Sequence, residues 1–144
     1  MKRLELTRDL PIGAREGFDY ITSVENWPAY WPRFVEIRDA GTARWREPGD
    51  RMSVVVAARR KPTQLNMTLD EFLPYERVAY RSTQDGLPDF RHERLFTEVD
   101  GRLRYTLVVG FEPRGLFDRF ILPRFVRRSL AETMDNLERV FGQA

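Results

Sequence analysis

The stretch Asn26-Trp27-Pro28-Ala29-Tyr30-Trp31-Pro32 constrains the chain most, because three large aromatics and two prolines fall within seven residues. Each such ring buries roughly 150–250 Å² when packed. The stretch is therefore too apolar for a free loop, and its prolines make it too rigid for a linker. It predicts a corner that folds a short helical pair against a sheet. Ahead of it, Leu4, Leu6 and Leu10 alternate as a first strand that Pro11 and Gly13 end. Residues 14–23 have helical spacing, with Phe18, Ile21 and Ile12 or Val24 on one side. A second short helix is expected over 25–31, with Pro28 in its first turn and Pro32 as its stop.

From Phe34 onward the apolar period changes to two. Strands are expected over 35–45, 51–60, 63–72, 77–83, 89–99 and 102–112. Pro48-Gly49-Asp50, Pro74-Tyr75-Glu76, Asp85-Gly86-Leu87-Pro88 and Asp100-Gly101 supply turns between them. Strands joined by such short links form an antiparallel meander. At the C-terminal end Val126, Leu130, Thr133, Met134, Leu137, Val140 and Phe141 recur at three-and-four spacing, the pattern of a long one-faced helix. Pro123 predicts a kink or two helical pieces in the stretch that starts near Leu116.

At 144 residues the chain has the length of one domain, expected over 1–144. It has no apolar run long enough to cross a bilayer, and the charged start Met1-Lys2-Arg3-Leu4-Glu5-Leu6 is unlike a secretory signal, so a cytoplasmic location is expected. The absence of cysteine excludes disulfides, thiolate nucleophiles and thiolate metal sites. With one histidine a multi-histidine metal site is excluded too, and neither metal nor cofactor is expected. A net charge of +2 gives no argument for nucleic acid as a partner. No Gly-x-Ser-x-Gly elbow or Gly-x-x-x-x-Gly-Lys loop occurs.

Asp100-Gly101 is a strong signal for a two-residue hairpin. It pairs Val99 with Arg102 and brings Phe90, His92, Arg94, Phe96, Leu103, Tyr105, Leu107, Val109 and Phe111 to one face. That face is apolar, so it is the buried one, yet it carries His92 and Arg94. A buried guanidinium needs a partner: a carboxylate such as Glu71, a carbonyl, water or a ligand. By alternation Met52, Val54, Val56 and Ala58 share a face, as do Leu65, Met67 and Leu69, and Val78, Tyr80 and Ser82. A few polar groups on an apolar wall describe a small-molecule pocket. Trp27, Tyr30 and Trp31 could close such a pocket or pack the corner. Phe117, Phe120, Ile121 and Phe125 could form a gate, a membrane-touching patch or helix packing. Arg114, Arg119, Arg124, Arg127 and Arg128 form a basic stretch that reads as a solvated face or a site for anionic lipid or an acidic partner.

The order of elements resembles the helix-grip fold of the START-like or SRPBCC superfamily, nearest its bacterial polyketide cyclase/dehydrase-type branch. The matching stretches are Phe18-Asp19-Tyr20-Ile21-Thr22-Ser23 leading into Asn26-Trp27-Pro28 and Trp31-Pro32, then Pro48-Gly49-Asp50, Pro74-Tyr75-Glu76-Arg77-Val78, the hairpin from Phe96 to Leu107 and the last helix. The resemblance implies an α+β fold in which a curved seven-stranded antiparallel sheet wraps a long C-terminal helix, with two short helices between strands 1 and 2. It further implies an elongated cavity between sheet and helix for a lipid-, polyketide- or quinone-like molecule. The residues expected to contact that ligand are Val54, Val56, Met67, Tyr80, His92, Arg94, Tyr105, Leu107, Phe120 and Met134. His92 and Arg94 are the catalytic candidates if the protein is instead a cyclase, aromatase or dehydratase. A third reading is an interaction module that uses the outer sheet face or the basic helix.

Overall fold

A computed structural model describes residues 1–39, 45–58 and 60–142. Strand β1 (Lys2–Gly13) leads into helix α1 (Ala14–Thr22), a 3₁₀ turn (Val24–Asn26) and helix α2 (Trp27–Tyr30). Six strands follow: β2 (Phe34–Asp39), β3 (Arg51–Ala58), β4 (Lys61–Leu73), β5 (Arg77–Thr83), β6 (Phe90–Val99) and β7 (Arg102–Phe111). A π-helical turn (Phe117–Ile121) then runs into helix α3 (Leu122–Gly142). The strands form one antiparallel sheet in the order β1-β7-β6-β5-β4-β3-β2.

The β6–β7 hairpin has the expected register, with Val99 opposite Arg102, Phe96 opposite Tyr105 and Arg94 opposite Leu107. Asp100 and Gly101 take φ of 53° and 79°, the left-handed pair that a primed turn needs. β1 closes onto β7 with Leu4 opposite Val109 and Leu10 opposite Leu103, so their side chains join the same inner face. Helix α1 lies close against this pair at Gly17. A Cβ there would stand 2.6 Å from Leu103 Cδ2 and 3.0 Å from Ile12 Cγ2, so any larger residue would have to displace the Leu103 side chain.

Helix α3 buries Val126, Leu130, Met134, Leu137 and Phe141 against the inner face. Its other anchors are polar. Arg8, inward on β1, donates to Asp135 Oδ1 at 2.6 Å and lies 3.6 Å from Glu138 Oε1. Arg33 donates to Glu132 Oε2 at 2.7 Å, and Asn136 Nδ2 donates to the Tyr30 carbonyl at 3.0 Å. The aromatic corner is thereby tied to the helix that the sheet wraps.

Two features differ from expectation. The second strand is described over Phe34–Asp39; residues 40–44 lie outside the described residues, and Trp45, its expected end, has a φ of 60° that is incompatible with a strand. The helical break also precedes Pro123, as a π-helical turn held by Asp118. The buried Asp118 carboxylate accepts from the Arg114 backbone N–H at 2.9 Å and its Nε at 2.7 Å. Those bonds hold its pKa below the usual aspartate value. The wider π turn rotates its side chains away from the three-and-four pattern. Phe120, Ile121 and Phe125 consequently face outward rather than packing on the sheet, as does Leu116.

Candidate functional site

Strand pairing brings Tyr80 opposite His92 and Val78 opposite Arg94. Their side chains therefore meet on the concave face. The Arg94 guanidinium has no carboxylate partner among the described residues, and Glu71 pairs instead with Arg77 at 3.4 Å. The β-bulge between Leu69 and Glu71 changes the alternation there and takes Glu71 out of the run of Leu65, Met67 and Leu69.

What meets the cation is a ring of tyrosines. Arg94 Nη1 donates to Tyr30 Oη at 2.9 Å, and Nη2 donates to Tyr80 Oη at 3.2 Å. Tyr30 Oη passes its own proton to the Ile21 carbonyl at 2.6 Å, which leaves its lone pairs for Arg94. The guanidinium also lies 5.5 Å from the Tyr80 ring centre, 5.9 Å from Trp31 and 6.0 Å from Tyr30, within cation–π reach. Tyr105 is fully buried nearby, and its hydroxyl has no well-formed hydrogen bond. Burial pushes the Tyr30 and Tyr105 phenols up, against the opposing pull of the Arg94 charge. Burial works against the Arg94 cation, but Tyr105, Tyr80 and Tyr30 outweigh it and hold its pKa well above the ordinary arginine value.

His92 stands two residues along the same strand. Its ring stacks on Tyr80, with centroids 4.3 Å apart and planes 8° from parallel, and meets Phe90 edge-on at 5.9 Å. Its Nε2 is 2.8 Å from Ser82 Oγ. Burial and the Arg94 charge lower its pKa to about 3, so the imidazole is neutral near pH 7.

An open groove of about 400 Å³ runs over β3–β5 at Ser53, Asn66 and Arg81. At Arg94, in place of the expected elongated cavity, the described residues leave a small void of about 10 Å³, the scale of one water. It is lined by Ile21, Thr22, Trp27, Trp31, Trp45, Phe72, Val78, Tyr80 and Arg94. Of the residues expected to contact a ligand, Tyr80 and Arg94 border it. Val54, Met67, Tyr105, Leu107 and Met134 are buried in the core, and Val56 is half-buried. Phe120 is 61% exposed on the π-helical turn, so it lies outside this site. Trp27, Tyr30 and Trp31 pack the corner, and Tyr30 and Trp31 also face the guanidinium. Trp45 entered the sequence reading only as a strand end, yet its indole fills the centre, 6.2 Å from Trp27 and 5.7 Å from Tyr80. Gln84 beyond Ser82 was likewise missed; its amide next to a turn carries no periodic signal. Among the described residues no group of three or more metal-ligating side chains converges.

The family model described as polyketide cyclase / dehydrase and lipid transport matches residues 1–142. The chain belongs to that family. None of the curated proteins compared with it matches its sequence. Among solved structures it is similar to the Zhui aromatase/cyclase from a Streptomyces species, with a TM-score of 0.83 at 14% identity over 99% of this chain and 94% of that one. It is similar also to Ara h 8.0201, with a TM-score of 0.77 at 15% identity over 99% of each chain. DynU16, a protein of the dynemicin biosynthetic locus, matches with a TM-score of 0.70 at 13% identity over 96% of this chain, which spans about half (48%) of that one. At such identities the structural overlap shows the shared helix-grip fold and nothing about chemistry. Within that family frame, no helix among the described residues is long and apolar enough to cross a membrane.

Proposed function

We propose that this protein binds an apolar, oxygen-bearing small molecule on the concave face of the sheet, with Arg94 holding the oxygen. The observation that carries this reading is a cation on an apolar wall whose partners are phenols and ring faces rather than a carboxylate. Such a guanidinium keeps its full charge and has N–H groups left for a carbonyl or carboxylate oxygen. The void beside it marks where that oxygen enters, and the ligand body takes the place of an indole that swings aside. Trp45 is the side chain assigned this movement, because it borders the void beside Arg94 and its left-handed backbone costs a non-glycine residue about 1–2 kcal/mol.

A second reading, ring closure or dehydration of a polyketide-like chain in the same place, is favoured by the fold shared with an aromatase/cyclase and by the donors at Arg94, which suit a developing enolate oxygen. Against it stands His92, whose low pKa makes it a weak proton acceptor and leaves no imidazolium to donate near neutral pH.

Native mass spectrometry of gently purified protein tests the binding reading. An adduct of small-molecule mass is expected on the wild type and absent from Arg94→Met. Absence of any adduct, together with no response of tryptophan fluorescence to aromatic ketones in wild type or Trp45→Ala, would overturn it.

A further inference from the structure

A chain of hydrogen bonds runs inward from the β5–β6 turn to His92. The Pro88 carbonyl can only accept, so the Gln84 atom 2.6 Å from it is the amide nitrogen, Nε2. The amide oxygen of Gln84 then faces Ser82 Oγ at 3.0 Å. That oxygen also only accepts, so the Ser82 hydroxyl must donate its one proton to it. Ser82 has nothing left to give His92, and the 2.8 Å contact requires the imidazole to donate from Nε2. A neutral ring carries one proton, so Nδ1 is bare. Nδ1 makes no hydrogen bond among the described residues; His92 is half-buried, while Ser82 and Gln84 behind it are 1% and 7% exposed and held out of water.

We propose that Ser82 and Gln84 are positioning residues that lock His92 in its Nε2–H tautomer, so that Nδ1 is an acceptor next to the Arg94 donor and the ligand carries a hydroxyl as well as a carbonyl-type oxygen. This ligand class rests on the binding reading above; the tautomer lock does not. The two groups are within reach of one ligand, since alternate residues of a strand share a face roughly 7 Å apart, although only Arg94 borders the void itself. Tyr80 bridges them, stacked on His92 and hydrogen-bonded to Arg94. A purely apolar molecule would leave both groups unmatched, and a carboxylate with no hydroxyl would satisfy Arg94 and leave the lone pair of Nδ1 unpaired. A hydroxylated aromatic ketone satisfies both.

Because the chain has one histidine, long-range proton–nitrogen NMR of tag-free, nitrogen-15-labelled protein reports on His92 without ambiguity. Wild type is expected to show one protonated nitrogen, Nε2. Gln84→Met frees the Ser82 hydroxyl to donate, and Ser82→Ala removes the partner; each is expected to give averaged tautomers. A mixed or Nδ1–H wild type, or wild-type spectra from both variants, would overturn the lock. For the ligand class, tryptophan fluorescence is titrated with acetylnaphthol, hydroxyl and acetyl on opposite rings, and with acetylnaphthalene. The naphthol is expected to bind about fivefold more tightly to wild type, an advantage lost in Gln84→Met. Equal binding of the two probes to wild type overturns the ligand class with the lock intact. Failure of both probes with a locked tautomer overturns the binding reading and the ligand class with it.

Discussion

Two arginines point inward from the same sheet, and the molecule treats them differently. Arg8 on β1 meets Asp135 and Glu138 of α3, so its charge is neutralised by the helix it holds. Arg94 on β6 meets the hydroxyls of Tyr30 and Tyr80 and the ring faces of Tyr30, Trp31 and Tyr80, and no carboxylate among the described residues neutralises it. The first is a fastener between sheet and helix. The second is stabilised enough to stay folded but retains its charge for something else. The half of the sheet around β1 and β7 is accordingly closed by ion pairs and aliphatic packing, while the half around β5 and β6 is closed by indoles over a cation.

Removing the indole closure should have the largest effect. Trp45→Ala is expected to cost about 3–5 kcal/mol in chemical denaturation, the range for deleting a large buried aromatic. Trp45→Gly should be milder than Ala by about 1 kcal/mol, since glycine adopts the left-handed backbone without strain. An Ala variant that matches wild-type stability would mean that this indole is not packed as described.

Next in size is a pH effect confined to the His92 side. The folded state holds His92 at about 3, against about 6.5 in the unfolded chain. Below 6.5 the unfolded state takes up a proton that the folded state refuses. Stability should therefore fall by about 1.4 kcal/mol per pH unit on going from pH 6.5 towards 3. Between pH 6.5 and 5, before most carboxylates titrate, denaturation midpoints of wild type should drop and those of His92→Phe should stay level. Parallel curves for the two proteins would mean that the fold does not disfavour the imidazolium at His92.

The arginines themselves should differ in size of effect. Arg94→Met deletes two charge-assisted hydrogen bonds, to Tyr30 and Tyr80, and should lower stability by about 2 kcal/mol. Arg8→Met removes a partly exposed pair and should lower it by about 1 kcal/mol or less. If both variants lose stability equally, the contrast between fastener and reserved charge is gone.

Much of this contrast was legible in the chain. Asp100-Gly101 set the hairpin register, and the register set Arg94, His92 and Tyr105 on the apolar face. The spacing of Leu130, Met134 and Leu137 marked the gripped face of the helix. Other parts were hidden for physical reasons. The site depends on Tyr30, which lies 64 residues from Arg94 in sequence, and no local pattern ties the two. Trp45 alternates correctly with its upstream neighbours, yet its backbone turns left-handed and sends the ring into the centre. Side-chain volume there decides between cavity and plug, and periodicity is blind to volume. The π-helical turn is held by the Asp118–Arg114 contact, a local polar bond over four residues that the spacing of apolar residues does not reveal.

The central claim is that Arg94 recognises the oxygen of an apolar ligand. Because Trp27, Trp31 and Trp45, all the tryptophans of the chain, line the void, their fluorescence reports on this place directly. Wild type and Arg94→Met are titrated with acetylnaphthalene and with ethylnaphthalene, which lacks the carbonyl. The account expects saturable quenching of wild type by the ketone, with preference over the hydrocarbon lost in a folded Arg94→Met protein. Equal affinity of wild type for ketone and hydrocarbon, or an undiminished ketone preference without Arg94, would contradict it.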